Sequence, residues 1–208
     1  MQMINFSPST RNIIFSISSL LDEIAQACHW AELERGRTTR YARLITEYFE
    51  GSGTNNEHVL AFHDAMEIAE IFKLWKHRVD LFPGLKHKIV EAMRSGPTVQ
   101  DDENPHNSSP RNYSFSYFVA GRLLAAGCDV LCVDGINRID ESGPWCGDVT
   151  LRHDRRILDL QCKRPYLVKT IQKNIYKAEN QILDVFPGIG IITIDASVFI
   201  RPQGTLLS

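Results

Sequence analysis

The sequence predicts an α/β protein in which a helical N-terminal region precedes a core of one helix, three strands, a second helix and a last strand. Over the first hundred positions, apolar residues recur at spacings of three and four, which is typical of helices that bury one face. Beyond residue 110, short apolar or alternating runs appear, and these favour strands. The chain has 208 residues, of which 43% are hydrophobic, and this is enough for one sizeable core.

Four helices are predicted in the N-terminal region, residues 1–95. The pair Ser7-Pro8 is a typical helix start, and the apolar stripe that follows it ends at Gly36. Glycines after residue 50 end the second helix, and Phe82-Pro83-Gly84 separates the third from the fourth. The sequence leaves open whether these helices are a scaffold, a dimer surface or a partner surface. The four segments lie at residues 8–36, 41–49, 59–75 and 85–93.

A polar segment separates this region from the core. Residues 96–110 are rich in Ser, Asn, Asp and Pro, which indicates a loop or linker. We therefore assign the core to residues 111–208, opened by a helix that starts at Ser109-Pro110. The core is predicted to contain a helix at 110–127, strands at 128–133, 147–153 and 157–163, a helix at 167–184 and a buried strand at 189–199.

Composition excludes several classes of protein. The net charge is −2, so any nucleic-acid site must be a local basic patch. No apolar run is long enough to span a membrane, and the first residues lack the pattern of a secretory signal. The five cysteines form no CxxC pair, which favours reduced thiols over disulfides or a zinc site. We therefore expect a cytoplasmic protein without a membrane partner.

The chemically informative segment is GDVTLRHDRRILDLQCKRP, residues 147–165. Asp148 lies at the start of one predicted strand, and Gln161 and Lys163 lie two apart on the next. Residues two apart on a strand point to the same face. If the two strands pair as a hairpin, the three side chains converge on one small volume.

This pattern, D-x12-QxK, resembles the PD-(D/E)xK nuclease superfamily, which has the restriction-endonuclease-like fold. The resemblance covers residues of about 110 to 200, and the family's element order is the one just described. It implies a metal-dependent nuclease that hydrolyses phosphodiester bonds of DNA. Mg²⁺ or Mn²⁺ would be held by Asp148, the Gln161 side-chain oxygen and the Cys162 backbone carbonyl. Lys163 would position water or stabilise the developing anion.

Two departures from the family pattern remove negative charge from that site. Gln161 stands where the motif usually has an acidic residue. Ser116 stands where many members have a glutamate on the first helix. Hard cations prefer oxygen ligands and benefit from carboxylate charge, so we expect weaker metal binding than in a full D…ExK site. Asp159, on the same strand face as Gln161, is an additional candidate ligand that would restore one charge.

The helix after this motif is the predicted nucleic-acid surface. Lys169, Lys173 and Lys177 repeat every four residues and form one basic stripe, although a plain solvated face has the same pattern. Gln172 and Tyr176 are similar to the Gln-x-x-x-Tyr signature of RecB-type nuclease domains. The predicted contacts to DNA, with RNA left open, are Arg164, Lys169, Gln172, Lys173, Tyr176 and Lys177.

Three functional hypotheses therefore stand at this point. The preferred one is a metal-dependent nuclease, with a homodimer as a secondary hypothesis because double-strand cleavage often needs two sites. The second is a catalytically weak or inactive nuclease-fold module that binds nucleic acid or a protein partner. The third is a structural adaptor that depends on the N-terminal helices.

Overall fold

The protein is described here from a computed structural model over residues 9–51, 56–96, 109–143, 147–165, 168–185 and 189–195. This part of the chain forms six α-helices and one five-stranded sheet. The helices are α1 Ser9–Trp30, α2 Arg37–Phe49, α3 Asn56–Trp75, α4 Leu85–Arg94, α5 Ser109–Ala125 and α6 Ile171–Val185. The strands are β1 Asp129–Val133, β2 Ile136–Asn137, β3 Val149–His153, β4 Arg156–Lys163 and β5 Ile189–Ile194.

The sheet is mixed, as predicted, and has the strand order β2-β1-β3-β4-β5. The strands β1, β3 and β4 pair antiparallel, and β4 pairs parallel with β5. The parallel pair follows from the crossover through α6, because two parallel neighbours need a long connection. The β3–β4 hairpin turns at Asp154 and Arg155, which both have positive φ angles, as a tight primed turn requires.

The two faces of β4 contact different helices. Leu160 and Cys162 are buried in the hydrophobic core, and the Ser116 side chain on α5 hydrogen-bonds to Cys162. On the other face, Asp159 is paired with Gly190 of β5, and a side chain at position 190 would collide with Ile182 of α6. The helices α5 and α6 therefore cover opposite faces, and Asp159, Gln161 and Lys163 share the face of α6.

The N-terminal helices and the sheet share one hydrophobic core. The helix α3 crosses α5 closely at Gly121, where a Cβ would lie 2.8 Å from Leu74 Cβ. The Trp75 indole Nε1 donates a hydrogen bond to the Tyr117 carbonyl across the same contact, at 2.8 Å. Because the apolar faces of the two regions meet here, the helical region is a structural part of the platform that carries the sheet.

Several predicted elements differ from the observed ones. The first helix ends at Trp30 rather than Gly36, because Gly36 instead precedes α2 with a φ of 141°. The short strand β2 was not predicted. The prediction of a buried last strand is wrong for its described part, since Ile189 and Ile191 are 46% and 40% exposed at the sheet edge.

Some expectations fall on residues that are not described. These are the helix start at Ser7-Pro8, most of the linker at 96–110, the first residue of the helix at 167–184 and the continuation of the last strand to 199. Among the helices that are described, none combines the length and apolar character needed to cross a membrane.

Candidate functional site

Asp148, Gln161 and Lys163 meet at one end of the sheet. The Lys163 ammonium donates hydrogen bonds to Asp148 Oδ2 at 3.2 Å and to Gln161 Oε1 at 3.0 Å. Gln161 is buried, while the side chains of Lys163 and Asp148 are 12% and 27% exposed. The convergence expected from a hairpin is therefore observed, and two of the three side chains are partly exposed to solvent.

The strand register explains this convergence. Val149 is paired with Leu160, so Asp148, one residue earlier, lies beside Gln161, one residue later. Gln161 and Lys163 then share a face because side chains alternate along β4. The backbone N–H of Cys162 donates to Asp148 Oδ2 at 2.7 Å and fixes the position of the carboxylate.

Asp159 lies next to this group and orients Gln161. Its Oδ2 accepts from Gln161 Nε2 at 3.4 Å, and its Oδ1 accepts from the Thr150 hydroxyl at 3.1 Å. Burial raises the pKa of Asp159, and the hydrogen bonds from Thr150 and Gln161 partly oppose that rise. With the amide nitrogen directed to Asp159, the Gln161 oxygen is directed to Lys163.

These side chains offer oxygen donors of the type that Mg²⁺ and Mn²⁺ prefer. Asp148 and Gln161 provide oxygens that already converge on one cation, the Lys163 ammonium. Within the described residues, no group of three or more His, Cys, Asp or Glu side chains has the arrangement of a metal site. The oxygens are thus of the type that such an ion takes, but the Lys163 ammonium already binds them, so an ion and the lysine would compete for the same donors.

Ser116 does not add to this donor set. It lies on α5, on the opposite face of β4, where its side chain contacts Cys162 and its hydroxyl donates to the Asn112 carbonyl at 3.4 Å. The position that carries a glutamate in many members of the resembled family thus brings no charge here.

Arg164 is buried, and the expectation that it contacts nucleic acid is corrected. Its Nε donates to Asp195 Oδ2 at 2.5 Å, and its Nη1 donates to Glu67 Oε1 and to the Arg111 carbonyl, both at 3.0 Å. A second bond joins its Nη2 to Glu67. Burial alone would lower the pKa of Arg164, but the carboxylates of Glu67 and Asp195 raise it above its usual value. This arginine ties β4 to α3 and to the end of β5.

The other predicted nucleic-acid residues lie on the exposed side of α6 or just before it. Ala178, on the opposite side of this helix, is fully buried. Tyr176 is 65% exposed, so its ring is open to solvent. The exposed residues of this surface, called here the α6 surface, are Lys169, Gln172, Lys173, Tyr176 and Lys177.

Sequence reasoning missed two parts of this arrangement. One is the close approach of Gly147 to the Asp159 carboxylate, which leaves no room for a side chain at position 147. Its only signal in the sequence was weak: a glycine directly precedes Asp148. The other is the pairing of Arg164 with Glu67, for which the sequence carries no signal because the two residues are 97 positions apart.

The fold and the site define a mixed α/β protein with a polar cluster at the end of a five-stranded sheet. No protein-family model, curated protein or solved structure matches the chain.

Proposed function

We propose that this protein is a metal-dependent nuclease that acts on DNA through a PD-(D/E)xK-type site on a restriction-endonuclease-like core. The observation that carries the proposal is the position of the Lys163 ammonium between Asp148 Oδ2 and Gln161 Oε1. A carboxylate and an amide oxygen can bind a divalent ion, and an ammonium group can neutralise charge on a phosphate, so the three groups suit phosphodiester hydrolysis.

Mg²⁺ or Mn²⁺, when bound, would lower the pKa of a bound water and neutralise phosphate oxygens. The groups that would hold it are the Asp148 carboxylate, the Gln161 side-chain oxygen and the Cys162 carbonyl. Asp159 supplies negative charge nearby and keeps the Gln161 oxygen in place. Lys163, released from its bonds with these oxygens, would orient water or stabilise the charge that develops on the phosphate.

The positive charge of the α6 surface is an argument for a polyanionic substrate. Its three lysines are exposed: Lys173 and Lys177 lie one turn apart and form a short basic line along α6, and Lys169 lies just before the helix in the 3-10 segment Val168–Thr170. Such a line can follow a phosphate backbone by releasing bound counterions. The helix α6 follows β4 in the chain and packs on the same sheet face as Gln161 and Lys163, with its lysines on the outer side, which favours use of the helix and the site by one substrate.

The test is hydrolysis of DNA by purified protein in Mg²⁺ or Mn²⁺, compared with Asp148→Ala and Lys163→Ala. Asp80→Ala, at an exposed aspartate of the short 3-10 helix Val79–Leu81, is a matched control. We expect products from the wild type and the control and at least a hundredfold loss in both site variants. Equal products from all four proteins would remove the proposal.

A second candidate function is a nuclease-fold module that binds nucleic acid or a protein partner without catalysis. It is favoured by the same lysine, because the Lys163 ammonium already satisfies the oxygens that a metal would use. Calorimetry with Mg²⁺ and Mn²⁺ discriminates the two functions. Metal binding that is abolished by Asp148→Ala favours the nuclease, and a lack of metal binding by the wild type favours the module.

A further inference from the structure

A cavity separate from the candidate site lies near the start of β3. It is an open cavity with a volume of about 330 Å³, lined by residues of α4, α5 and the turn between β1 and β2. Its chemically distinctive lining residues are His87, Lys88, Glu91, Tyr113, Tyr117 and Asp134. None of these belongs to the group of Asp148, Gln161 and Lys163.

Asp134 connects this cavity to the site. Its backbone N–H donates to the Asp148 carbonyl at 2.9 Å, because Asp134 follows β1 where Asp148 precedes the neighbouring strand β3. This contact places the Asp134 edge of the cavity next to the Asp148 backbone at the end of the sheet, with the Gln161 and Lys163 side chains on the other sheet face. A single nucleotide is long enough to place its base in the cavity and its phosphate at Asp148.

The Asp134 carboxylate is held rigidly. Lys88 Nζ donates both to its Oδ2, at 2.9 Å, and to its backbone carbonyl, at 2.8 Å. The Tyr117 hydroxyl donates to the same Oδ2 at 3.2 Å. Among the described residues, the hydrogen bonds to this carboxylate end on Oδ2, which leaves Oδ1 as an acceptor for a ligand. A fixed carboxylate oxygen suits an amino group such as those on cytosine, adenine and guanine.

An aromatic platform lies in the same cavity. Tyr113 is 45% exposed although it belongs to a helix that packs into the core, and the His87 imidazole is exposed as well. Aromatic side chains of this kind stack on nucleobases without regard to sequence. The cavity therefore combines a stacking surface with a polar acceptor.

The charges of the cavity disfavour a phosphate as its occupant. Glu91 and Asp134 are both acidic, and Lys88 is paired with Asp134. The two carboxylates outnumber this lysine, so an anionic group would be repelled. A neutral base that donates a hydrogen bond is compatible with the same lining.

We infer that this cavity binds an unpaired nucleobase with an exocyclic amino group, on the strand whose phosphate lies at Asp148 and Lys163. The inference rests on the proposed nuclease function and names its substrate class. A base inside a duplex is stacked and paired, so only single-stranded DNA or an opened end of a duplex presents one without an unpairing penalty. The preferred substrate is therefore single-stranded DNA.

The test uses a short single-stranded oligodeoxynucleotide that contains 2-aminopurine, with Ca²⁺ in place of Mg²⁺ so that binding is measured without turnover. We expect the wild type to change the 2-aminopurine fluorescence on binding. Tyr113→Ala should bind about tenfold more weakly and lose the fluorescence change, because stacking is removed. Tyr113→Phe keeps the ring and should behave as the wild type.

The outcomes separate this inference from the proposed hydrolysis. Unchanged affinity and fluorescence in Tyr113→Ala would overturn the base site even if DNA is cleaved. Equal binding of the matched duplex would overturn the preference for single strands. A wild-type protein that shows the fluorescence change but never cleaves DNA in Mg²⁺ or Mn²⁺ would support the base site and reject the nuclease.

Discussion

Gly147 lies directly against the carboxylate of Asp159: a methyl group at position 147 would fall 1.6 Å from Asp159 Oδ1. That carboxylate accepts a hydrogen bond from Gln161, whose oxygen in turn accepts one from Lys163. The missing side chain at position 147 therefore permits the chain of hydrogen bonds that orients the Gln161 amide.

Gly147→Ala should disturb both stability and metal binding. The added methyl group must displace the Asp159 carboxylate, and overpacking of this kind lowers the free energy of unfolding by about 1–3 kcal/mol. Because Gln161 then loses the acceptor for its amide nitrogen, we expect weaker Mn²⁺ binding. Urea unfolding and calorimetry of the folded protein measure the two effects.

Gly190→Ala is the matched control for that change. Its methyl group would meet Ile182 of α6 at 2.1 Å, so it also overpacks the same sheet face, but against an apolar side chain. We expect it to lower stability and leave the Mn²⁺ affinity of the folded protein unchanged. An equal loss of Mn²⁺ affinity in both variants would mean that Asp159 has no specific part in the site.

Lys163→Met should bind Mn²⁺ more tightly than the wild type while losing nuclease activity. The ammonium that now shares the oxygens of Asp148 and Gln161 would no longer compete with the metal. At the dielectric of a partly buried site, removal of this repulsion is expected to raise affinity about tenfold. Lys169→Met, on the exposed α6 surface, is the control, and calorimetry with Mn²⁺ should show no such gain for it. Weaker Mn²⁺ binding by Lys163→Met would contradict the competition.

The α6 surface should set the salt dependence of DNA binding. Replacement of Lys169, Lys173 and Lys177 by Gln removes three phosphate contacts. The slope of log affinity against log salt concentration should then become shallower by about two units. Fluorescence anisotropy over a range of NaCl concentrations measures the slope. A slope that stays the same would show that the three lysines are an ordinary solvated face.

Glu67→Gln should destabilise the protein far more than Glu70→Gln, although both glutamates lie on α3 and both pair with an arginine. Glu67 contacts the buried Arg164, whereas the partner of Glu70 is Arg122, which is 59% exposed. Removal of one partner from a buried pair costs about 3–5 kcal/mol, and loss of a surface pair costs about 0–1 kcal/mol. Chemical unfolding of the two variants tests this difference, and equal losses would contradict the buried role of Arg164.

Acid should weaken the protein through Asp64. Burial alone would raise the pKa of this carboxyl, but its bonds with His63 and Arg111 lower it from 3.8 to about 2. Since the folded-state pKa lies below the unfolded one, the stabilisation is complete above about pH 5 and is lost as the pH falls towards 2. The contribution is about 2 kcal/mol. Unfolding measured from pH 5 to pH 2 should show this loss, and an NMR titration that places the Asp64 pKa near 4 would refute it.

The hairpin and its polar face could be predicted because both depend on local patterns. The alternation along β4 and the turn at residues 153–156 fix which side chains share a face, and the register then brings Asp148 to Gln161. Which side chains share a face of a hairpin depends only on residues that are close in the sequence.

Arg164 could not be predicted in the same way. It follows Lys163 in a basic segment, which favours an exposed position, yet its partners are Glu67 on α3 and Asp195 after β5. Burial of a charged side chain depends on where distant elements supply the opposite charge, and no local pattern records that. The exposure of β5 was missed for a related reason, since its place at the sheet edge is a property of the whole topology.

The link between Arg164 and α3 also limits how this protein can be shortened or recombined. A fragment that starts at residue 109 would retain Asp148, Gln161 and Lys163, but would strip the adjacent guanidinium of both of its bonds to Glu67. The site residues on the sheet therefore cannot be transferred to another protein as an independent unit. Chimeras that keep the reactive half must carry the third helix with it.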